Sequence, residues 1–450
     1  MKTTKTNSPK TLKQKFLSTL TFLFTFFVLT ILVSAQSITP IERGRAKDML
    51  NAIKNQIKDD YYDKTFHGIN LDEQFKLAEE KINKAATMSQ AFGIIAQAVI
   101  ELNDSHTNFY PPQRTKLVNY GWRMQMIGDK CFVIAVKPKS DAESKGLKIG
   151  DEILKIEGFK PTRKDLWKMN YYFNSLSPRA GLNVLLKSPT DKEPREMDIP
   201  AKVTQLKGVL DIGDLIRESE INSGRSVENR FVKVGNTVVW RMPPFVIDPD
   251  SVSGLMNEVK SYNNLILDLR GNGGGYVVTL EQLAGYFVDK DTKIADLKGR
   301  KEMKPQMAKT KGKDVYNGKL IVLIDSNSGS AAEIFARFMQ LEKRGVVLGD
   351  QSAGAVMQSI GIPLKINTGV ESEYIPYYMS MTNADVIMSD GLSLEHVGVT
   401  PQLKIIPTAE DLAAQYDPVL STAFKFFGQT VTAEQAGKYF PYKWDERVRF

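Results

Sequence analysis

The sequence runs to 450 residues, 42% of them hydrophobic and 25% charged, an ordinary globular balance with chain enough for about two or three domains. Its formal charge of +8 includes Lys2, Lys5, Lys10, Lys13 and Lys15, so +3 remains beyond residue 35 and no nucleic-acid surface is implied by the basic pI. A single cysteine, Cys131, excludes an internal disulfide, and the lack of a Cys cluster or an H-E-x-x-H pattern argues against zinc.

Residues 1–35 join a basic, acid-free start to an apolar stretch from Leu17 to Val33 and then to the small residues Ser34 and Ala35. That order fits a secretory signal peptide cut after Ala35, and with it an exported protein of the bacterial periplasm or cell envelope. An uncleaved anchor is the alternative, because the stretch is only slightly short of a membrane span. Membrane contact is expected in that case alone, since no lipid-attachment cysteine follows.

Ile41 to Asp59, Leu71 to Ala86 and Ser89 to Leu102 carry apolar residues at helical spacing, which predicts an N-terminal helical segment over 36–115. Asp104-Ser105-His106-Thr107 interrupts that pattern and puts His106 on a loop or helix end, where either a functional or a capping histidine could sit. From 116 to 205 the pattern changes to short strands: Met124 to Met126, Cys131 to Val136, Asp151 to Ile156 and Leu182 to Leu186. The run from Ala142 to Gly158, with its Gly150-Asp151 turn, resembles the PDZ modules of exported proteases. Such a groove takes an extended peptide as an added strand, and Gly121 and Trp122 are the expected peptide-binding residues. A plain spacer or lid is the alternative.

Strand and helix patterns then alternate: Thr237 to Met242, Ser251 to Tyr262, Asn264 to Leu269, Ile321 to Ile324, Ala331 to Gln340, Val346 to Leu348. They predict an α/β core over 206–410 with a mainly parallel sheet. Asp268-Leu269-Arg270-Gly271-Asn272-Gly273-Gly274-Gly275 is a loop stripped of side chains so that backbone can approach a ligand. Tyr276 stands where G-x-G-x-x-G needs its last glycine, which disfavours a nucleotide loop and leaves an oxyanion loop or a tight turn. Asp325 to Ser330 are small or turn-forming, so Ser330 falls at a helix N-terminus, where free amides and the helix dipole favour developing negative charge. A serine there needs a base, and the chain offers His67, His106 and His396.

Leu267 to Gly275, Ser328-Gly329-Ser330-Ala331-Ala332-Glu333-Ile334 and Gly349-Asp350-Gln351-Ser352-Ala353-Gly354 follow one another in the order that resembles the tail-specific, or C-terminal processing, serine protease family. The resemblance implies a crotonase/ClpP-like core of β-β-α units, interrupted by the PDZ-like module, with Ser330 as nucleophile. The lysine-dependent branch places its base directly after Gly354, and here Ala355 stands there. The tricorn-like branch takes a histidine from a Ser-His pair and a glutamate before a Gly-Val-x-Pro segment, which maps onto Ser105-His106 and onto Glu395 ahead of Gly398-Val399-Thr400-Pro401.

The expected site is therefore Ser330, His106 and Glu395, with Glu395 supporting the base directly or through Ser105, and amides of Ala331 and Gly273 or Gly274 holding the oxyanion. No cofactor is needed, and the expected partner is a polypeptide substrate. His396 is expected to be a flank that could compete as base, and His67 a surface turn residue. A binding protein on the same fold and an esterase or amidase using the same serine are the rival functions. The Tyr374 to Tyr378 stretch fits ordinary strand packing better than a specificity pocket. Residues 411–450 read as a helix over Tyr416 to Phe427 and an aromatic, charged tail, and the sequence leaves the oligomeric state open.

Overall fold

The computed structural model describes residues 37–114, 116–205, 228–367 and 374–444, so the leader at 1–35 lies outside the described residues. Among the described residues no helix is long and apolar enough to cross a membrane.

Three helices come first, α1 (Pro40–Asp60), α2 (Leu71–Lys84) and α3 (Met88–Ile100). Each starts at a capping side chain, Thr39, Asn70 and Thr87, that accepts an otherwise orphaned amide of the first turn. Their apolar faces close over Met49, Ile53, Ile57, Phe75, Ile82 and Ile95.

After β1 (Asn108–Tyr110) the chain enters a smaller unit: β2 (Lys116–Asn119), β3 (Trp122–Ile127), β4 (Lys130–Val136), α4 (Asp141–Ser144), β5 (Glu152–Ile156), α5 (Leu166–Tyr171), β6 (Gly181–Lys187), β7 (Arg195–Pro200) and β8 (Lys202–Gln205). Strands β3 to β7 pair in sequence order as an antiparallel sheet, and β2 with β8 makes a ribbon where the chain enters and leaves. The unit is tied to the rest through Gln125, whose amide donates to Asp325 at 2.8 Å, and through Arg163, which pairs with Asp350.

The remaining elements are β9 (Arg230–Val234), β10 (Thr237–Arg241), α6 (Pro249–Val259), β11 (Asn264–Asp268), α7 (Val277–Ala284), β12 (Thr292–Gly299), β13 (Gln306–Ala308), β14 (Lys319–Ile324), α8 (Ala331–Leu341), β15 (Val346–Gly349), β16 (Met357–Asn367), β17 (Tyr374–Met388), β18 (Leu403–Lys404), α9 (Ala409–Ala413), α10 (Pro418–Phe426) and α11 (Ala433–Gly437). One sheet has the order β18-β15-β14-β11-β10-β9 and is parallel except for the antiparallel edge strand β9. Successive side chains point to opposite faces, so Val238, Trp240, Leu265, Leu267 and Val322 fill one core while Val239, Ile266, Ile321 and Leu323 fill another. The second core is closed by α10 and α11, which explains why these strands are apolar on both faces.

A second sheet, wholly antiparallel, runs β1-β17-β12-β13 with β16 on β17. The six-stranded sheet is the mainly parallel one expected; this antiparallel sheet was not, because β16 and β17 carry Pro363, Pro376 and Gly361, which blur strand periodicity. The helix expected over Tyr416 to Phe427 starts later, at Pro418, where Asp417 caps it by accepting the Leu420 amide at 2.9 Å.

Two pairings position the site. Asp268 lies opposite Leu323 in the β11–β14 register, so the Gly271–Gly275 and Asp325–Ser330 loops leave the sheet side by side at its C-terminal edge. Phe109 of β1 lies opposite Met379 of β17, which anchors the segment just after His106.

Candidate active site

Ser330 stands immediately before α8 with φ 51° and ψ −121°, a backbone conformation that a residue with a side chain rarely adopts. It is held there by its own amide, which donates to the Ala355 carbonyl at 2.8 Å and to Glu333 Oε2 at 3.0 Å. Gly274 approaches so closely that a Cβ on it would stand 2.5 Å from the Ser330 Cβ, which is why only glycine fits at this point of the loop.

His106 reaches Ser330 from the N-terminal segment, with Nε2 3.3 Å from Ser330 Oγ. Behind it, Ser105 Oγ lies 2.7 Å from His106 Nδ1 and donates to Glu395 Oε2 at 2.9 Å. With the hydroxyl proton committed to the carboxylate, Ser105 accepts from Nδ1–H, and this chain of bonds assigns the tautomer whose Nε2 lone pair faces the serine. Glu395 also accepts the Ser105 amide at 2.7 Å and the Val356 amide at 2.8 Å. Burial raises the Glu395 carboxyl above its ordinary value, opposed by the Val356 and Ser105 hydrogen bonds and the neighbouring His396. Of the two routes open to Glu395 in the sequence, the structure shows the one through Ser105.

The other histidines face elsewhere. His396 is 54% exposed at its side chain and its Nε2 is bonded to the Asn103 carbonyl at 2.8 Å. His67 lies in a turn with Nδ1 2.7 Å from the Leu102 carbonyl and Nε2 2.7 Å from the Tyr62 hydroxyl. Gly121 and Trp122 make no hydrogen bond to these groups among the described residues. They lie at the start of β3, with Trp122 lining a small cleft of about 30 Å³ with Met124, Asn170 and Phe173.

Of the three amides expected around an oxyanion, that of Gly274 already donates to Asn272 Oδ1 at 2.9 Å, which corrects the expectation at Gly274 and leaves Gly273 and Ala331. Asn272 is itself buried, with its Nδ2 donating to the Pro243 carbonyl at 2.6 Å, so the loop is braced from inside.

Two carboxylates escaped the sequence reading. Buried Asp104 accepts the His106 amide at 2.9 Å, the Thr107 amide at 2.7 Å, the Tyr61 hydroxyl at 2.8 Å and the Thr382 hydroxyl at 2.6 Å. An Asp two residues before the histidine is the usual source of such a turn, and that was the available signal. Glu333 accepts from Ser352 Oγ at 2.6 Å and from the Gly354 and Ala355 amides at 2.7 and 2.9 Å, besides Ser330. Its signal was the S-x-x-E spacing of a helix start.

Burial pushes Glu333 up from 4.5 to about 7, against the pull of these four donors. A carboxyl raised on folding leaves the native state holding more protons, so its contribution to stability falls as pH rises from about 4.5 to about 7. Melting temperatures across that window should therefore show a declining component in the native chain that Glu333→Gln removes. An unchanged slope in the variant would assign the proton elsewhere.

Among the described residues no cluster of His, Cys, Asp or Glu could hold a metal ion. A strained serine, a histidine 3.3 Å from it and a carboxylate behind that histidine form an arrangement of the kind serine-type peptidases use. Residues 238–405, within the α/β core, match the model of peptidase family S41. It is 25% identical over 347 residues to carboxy-terminal processing protease CtpB of Bacillus subtilis, covering 74% of this chain and 64% of that protein. To the tail-specific protease of Haemophilus influenzae it is 26% identical over 275 residues, covering 57% of this chain and 37% of the relative. The alignments thus span less than two thirds of either relative. In fold it resembles mature CPAF, with TM-score 0.63 and 15% identity over 83% of this chain and 94% of that structure.

Proposed function

We propose that this chain is an exported serine endopeptidase that cleaves polypeptides through an acyl-enzyme. The observation that carries the reading is the unbroken run Ser330, His106, Ser105, Glu395, assembled from segments up to 290 residues apart. Ser330 Oγ attacks the scissile carbonyl carbon while His106 Nε2 takes its proton. The imidazolium that forms is stabilised by Glu395 through Ser105, and the oxyanion is received by the Ala331 and Gly273 amides, each worth about 10²–10³ in rate. His106 then protonates the leaving amine, the acyl group stays on Ser330, and water hydrolyses it by the same steps in reverse. The chemistry needs no cofactor.

The supporting units are assigned as a leader at 1–35, a helical segment at 36–115, a PDZ-like peptide-binding unit at 116–205, the peptidase core at 206–410 and a C-terminal segment at 411–450. The peptide-binding assignment is favoured by the cleft at Trp122, whose indole N–H is buried with no hydrogen-bond partner among the described residues. An extended peptide laid along β3 would satisfy exposed backbone there. Export rests on the leader's composition.

The test is a fluorophosphonate label. The mature chain should gain one adduct, mapped to Ser330, and should degrade an unstructured polypeptide at a rate the label abolishes. Hydrolysis of a chromogenic ester without polypeptide cleavage would replace the reading with an esterase or amidase. Peptide binding with neither label nor turnover would make the chain a binding protein on a peptidase fold.

A further inference from the structure

A cavity of about 450 Å³ lies between β3 and β4 of the smaller unit, the C-terminal segment and the adjoining ends of β9 and β10. It is lined by none of Ser330, His106 and Glu395, nor by Trp122, so it is separate from the active site and from the cleft on β3. Its volume is that of a small-molecule site.

Two arginines face each other in it. Arg230 and Arg241 are direct partners in the antiparallel β9–β10 register, an arrangement in which like charges repel. Both guanidinium groups lie over the Phe440 ring, at 5.1 and 5.8 Å. Arg230 donates to the Pro441 carbonyl at 3.0 Å, while Arg241 Nε is buried without a hydrogen-bond partner among the described residues. Burial, and then the charge of Arg241, hold the Arg230 group below its ordinary value.

The carboxylates around the cavity are engaged by other groups. Asp417 and Asp268 grip Arg270, Asp350 pairs with Arg163, Glu228 lies 3.4 Å from Lys443, and Asp325 accepts the Gly271 amide at 3.0 Å. Glu228 also acts on Arg230, and Asp268 at longer range on both arginines, but Glu228 lies by Lys443 and both oxygens of Asp268 are bonded to Arg270. The wall also has an apolar part, made by Ile134, Ile149, Ile405 and Phe440, beside the polar Gln125, Gln415 and Lys443.

We infer that this cavity is a binding site for a small amphipathic monocarboxylate, whose carboxylate bridges Arg230 and Arg241 and whose apolar body fills the isoleucine-lined space. A planar two-oxygen anion suits two guanidinium forks, and it relieves the repulsion that the cross-strand pair carries when empty. The same chemistry is offered by a free fatty acid and by the apolar carboxyl-terminal residue of a cleaved peptide. The site lies directly behind the glycine loop, since Met242 and Pro243, which follow Arg241, supply the carbonyls that hold Asn272.

Calorimetric titration of the full chain carrying Ser330→Ala tests this without turnover and independently of any peptidase activity. The probes are decanoate against decanol, and N-acetyl-Leu-Phe against its amide. The expected result is that at least one acid binds about 10-fold or more tighter than its neutral counterpart, and which acid does so identifies the source. Arg241→Met should weaken that acid about 10-fold to 100-fold, the span of one or two charge-assisted hydrogen bonds, with Arg241→Lys recovering part. If Arg241→Met does not fold by circular dichroism, Arg230→Gln serves as the reading variant. Equal binding of acid and neutral analogue, binding indifferent to both arginine variants, or no binding of either acid would each overturn the inference.

Discussion

Replacing Ser330 by alanine is expected to lower kcat on an unstructured polypeptide about 10³-fold or more, and replacing His106 as well should change little further. In the proposed mechanism the two groups act as one unit, because a serine is a weak nucleophile at neutral pH until its proton has somewhere to go. The proposed acceptor is His106 Nε2, 3.3 Å away, a separation that has only to shorten slightly as substrate closes the site. The imidazole is in turn held in one tautomer by Ser105 at 2.7 Å. Ser105→Ala should therefore cost less than loss of the base but more than a surface change, and it should move the pH–rate profile, because the imidazolium loses its link to Glu395. Single-turnover kinetics on all four combinations separate these outcomes. Multiplicative losses in the double variant would mean that Ser330 and His106 act in different steps, and retained turnover in Ser330→Ala would end the serine assignment.

What could be read from the sequence was local. Ser330 was legible because strand, turn and helix meet within ten residues around it, whereas Ser105 entered with His106 only as the Ser-His pair that the family resemblance implies. The three N-terminal helices start within two residues of expectation, since Thr39, Asn70 and Thr87 are capping side chains with short range. What could not be read depends on residues distant in the chain. Asp325 looked like a turn residue and Asp350 like part of a motif, yet they hold the smaller unit through Gln125 and Gly128 at 2.8 Å each. The β16–β17 hairpin went unrecognised because its strands contain Gly361, Pro363 and Pro376, which break a strand pattern. Gly274 shows the limit at the site itself: glycine content marked a backbone that approaches a ligand, but only geometry shows that its amide already serves Asn272.

The largest stability effect is expected at Arg270, where Arg270→Met should cost about 3–5 kcal/mol. Arg270 grips two carboxylates. Its Nε and Nη2 donate to Asp268 at 2.8 Å each, and its Nη1 and Nη2 donate to Asp417 at 2.9 and 2.8 Å. Asp268 is fully buried; burial alone would push its carboxyl up, and Arg270, with Arg241 adding to it, more than offsets this and leaves it below its ordinary value. Methionine keeps most of the side-chain volume and strands that carboxylate in the interior, which is the costly way to break a buried pair. The sign with pH follows. A carboxyl depressed in the native state supplies stability above its unfolded pKa, near 3.8, that is lost as pH falls through the folded value. In Arg270→Met the same carboxyl is left to burial, its native pKa rises, and protonation relieves it. The gap between native and variant should therefore be widest at neutral pH and narrow steadily as pH falls towards 4. Adding Asp268→Asn should recover part of the loss, because the stranded charge is removed along with its partner. Urea unfolding at pH 7 and pH 4.5 reads all three quantities, and a loss below about 1 kcal/mol at pH 7 would place Arg270 among ordinary surface ion pairs. Because Arg270 opens the Gly271–Gly275 loop and Asp417 caps α10, the same variant should loosen the C-terminal helices and the oxyanion loop together, so turnover is expected to fall even where the chain remains folded.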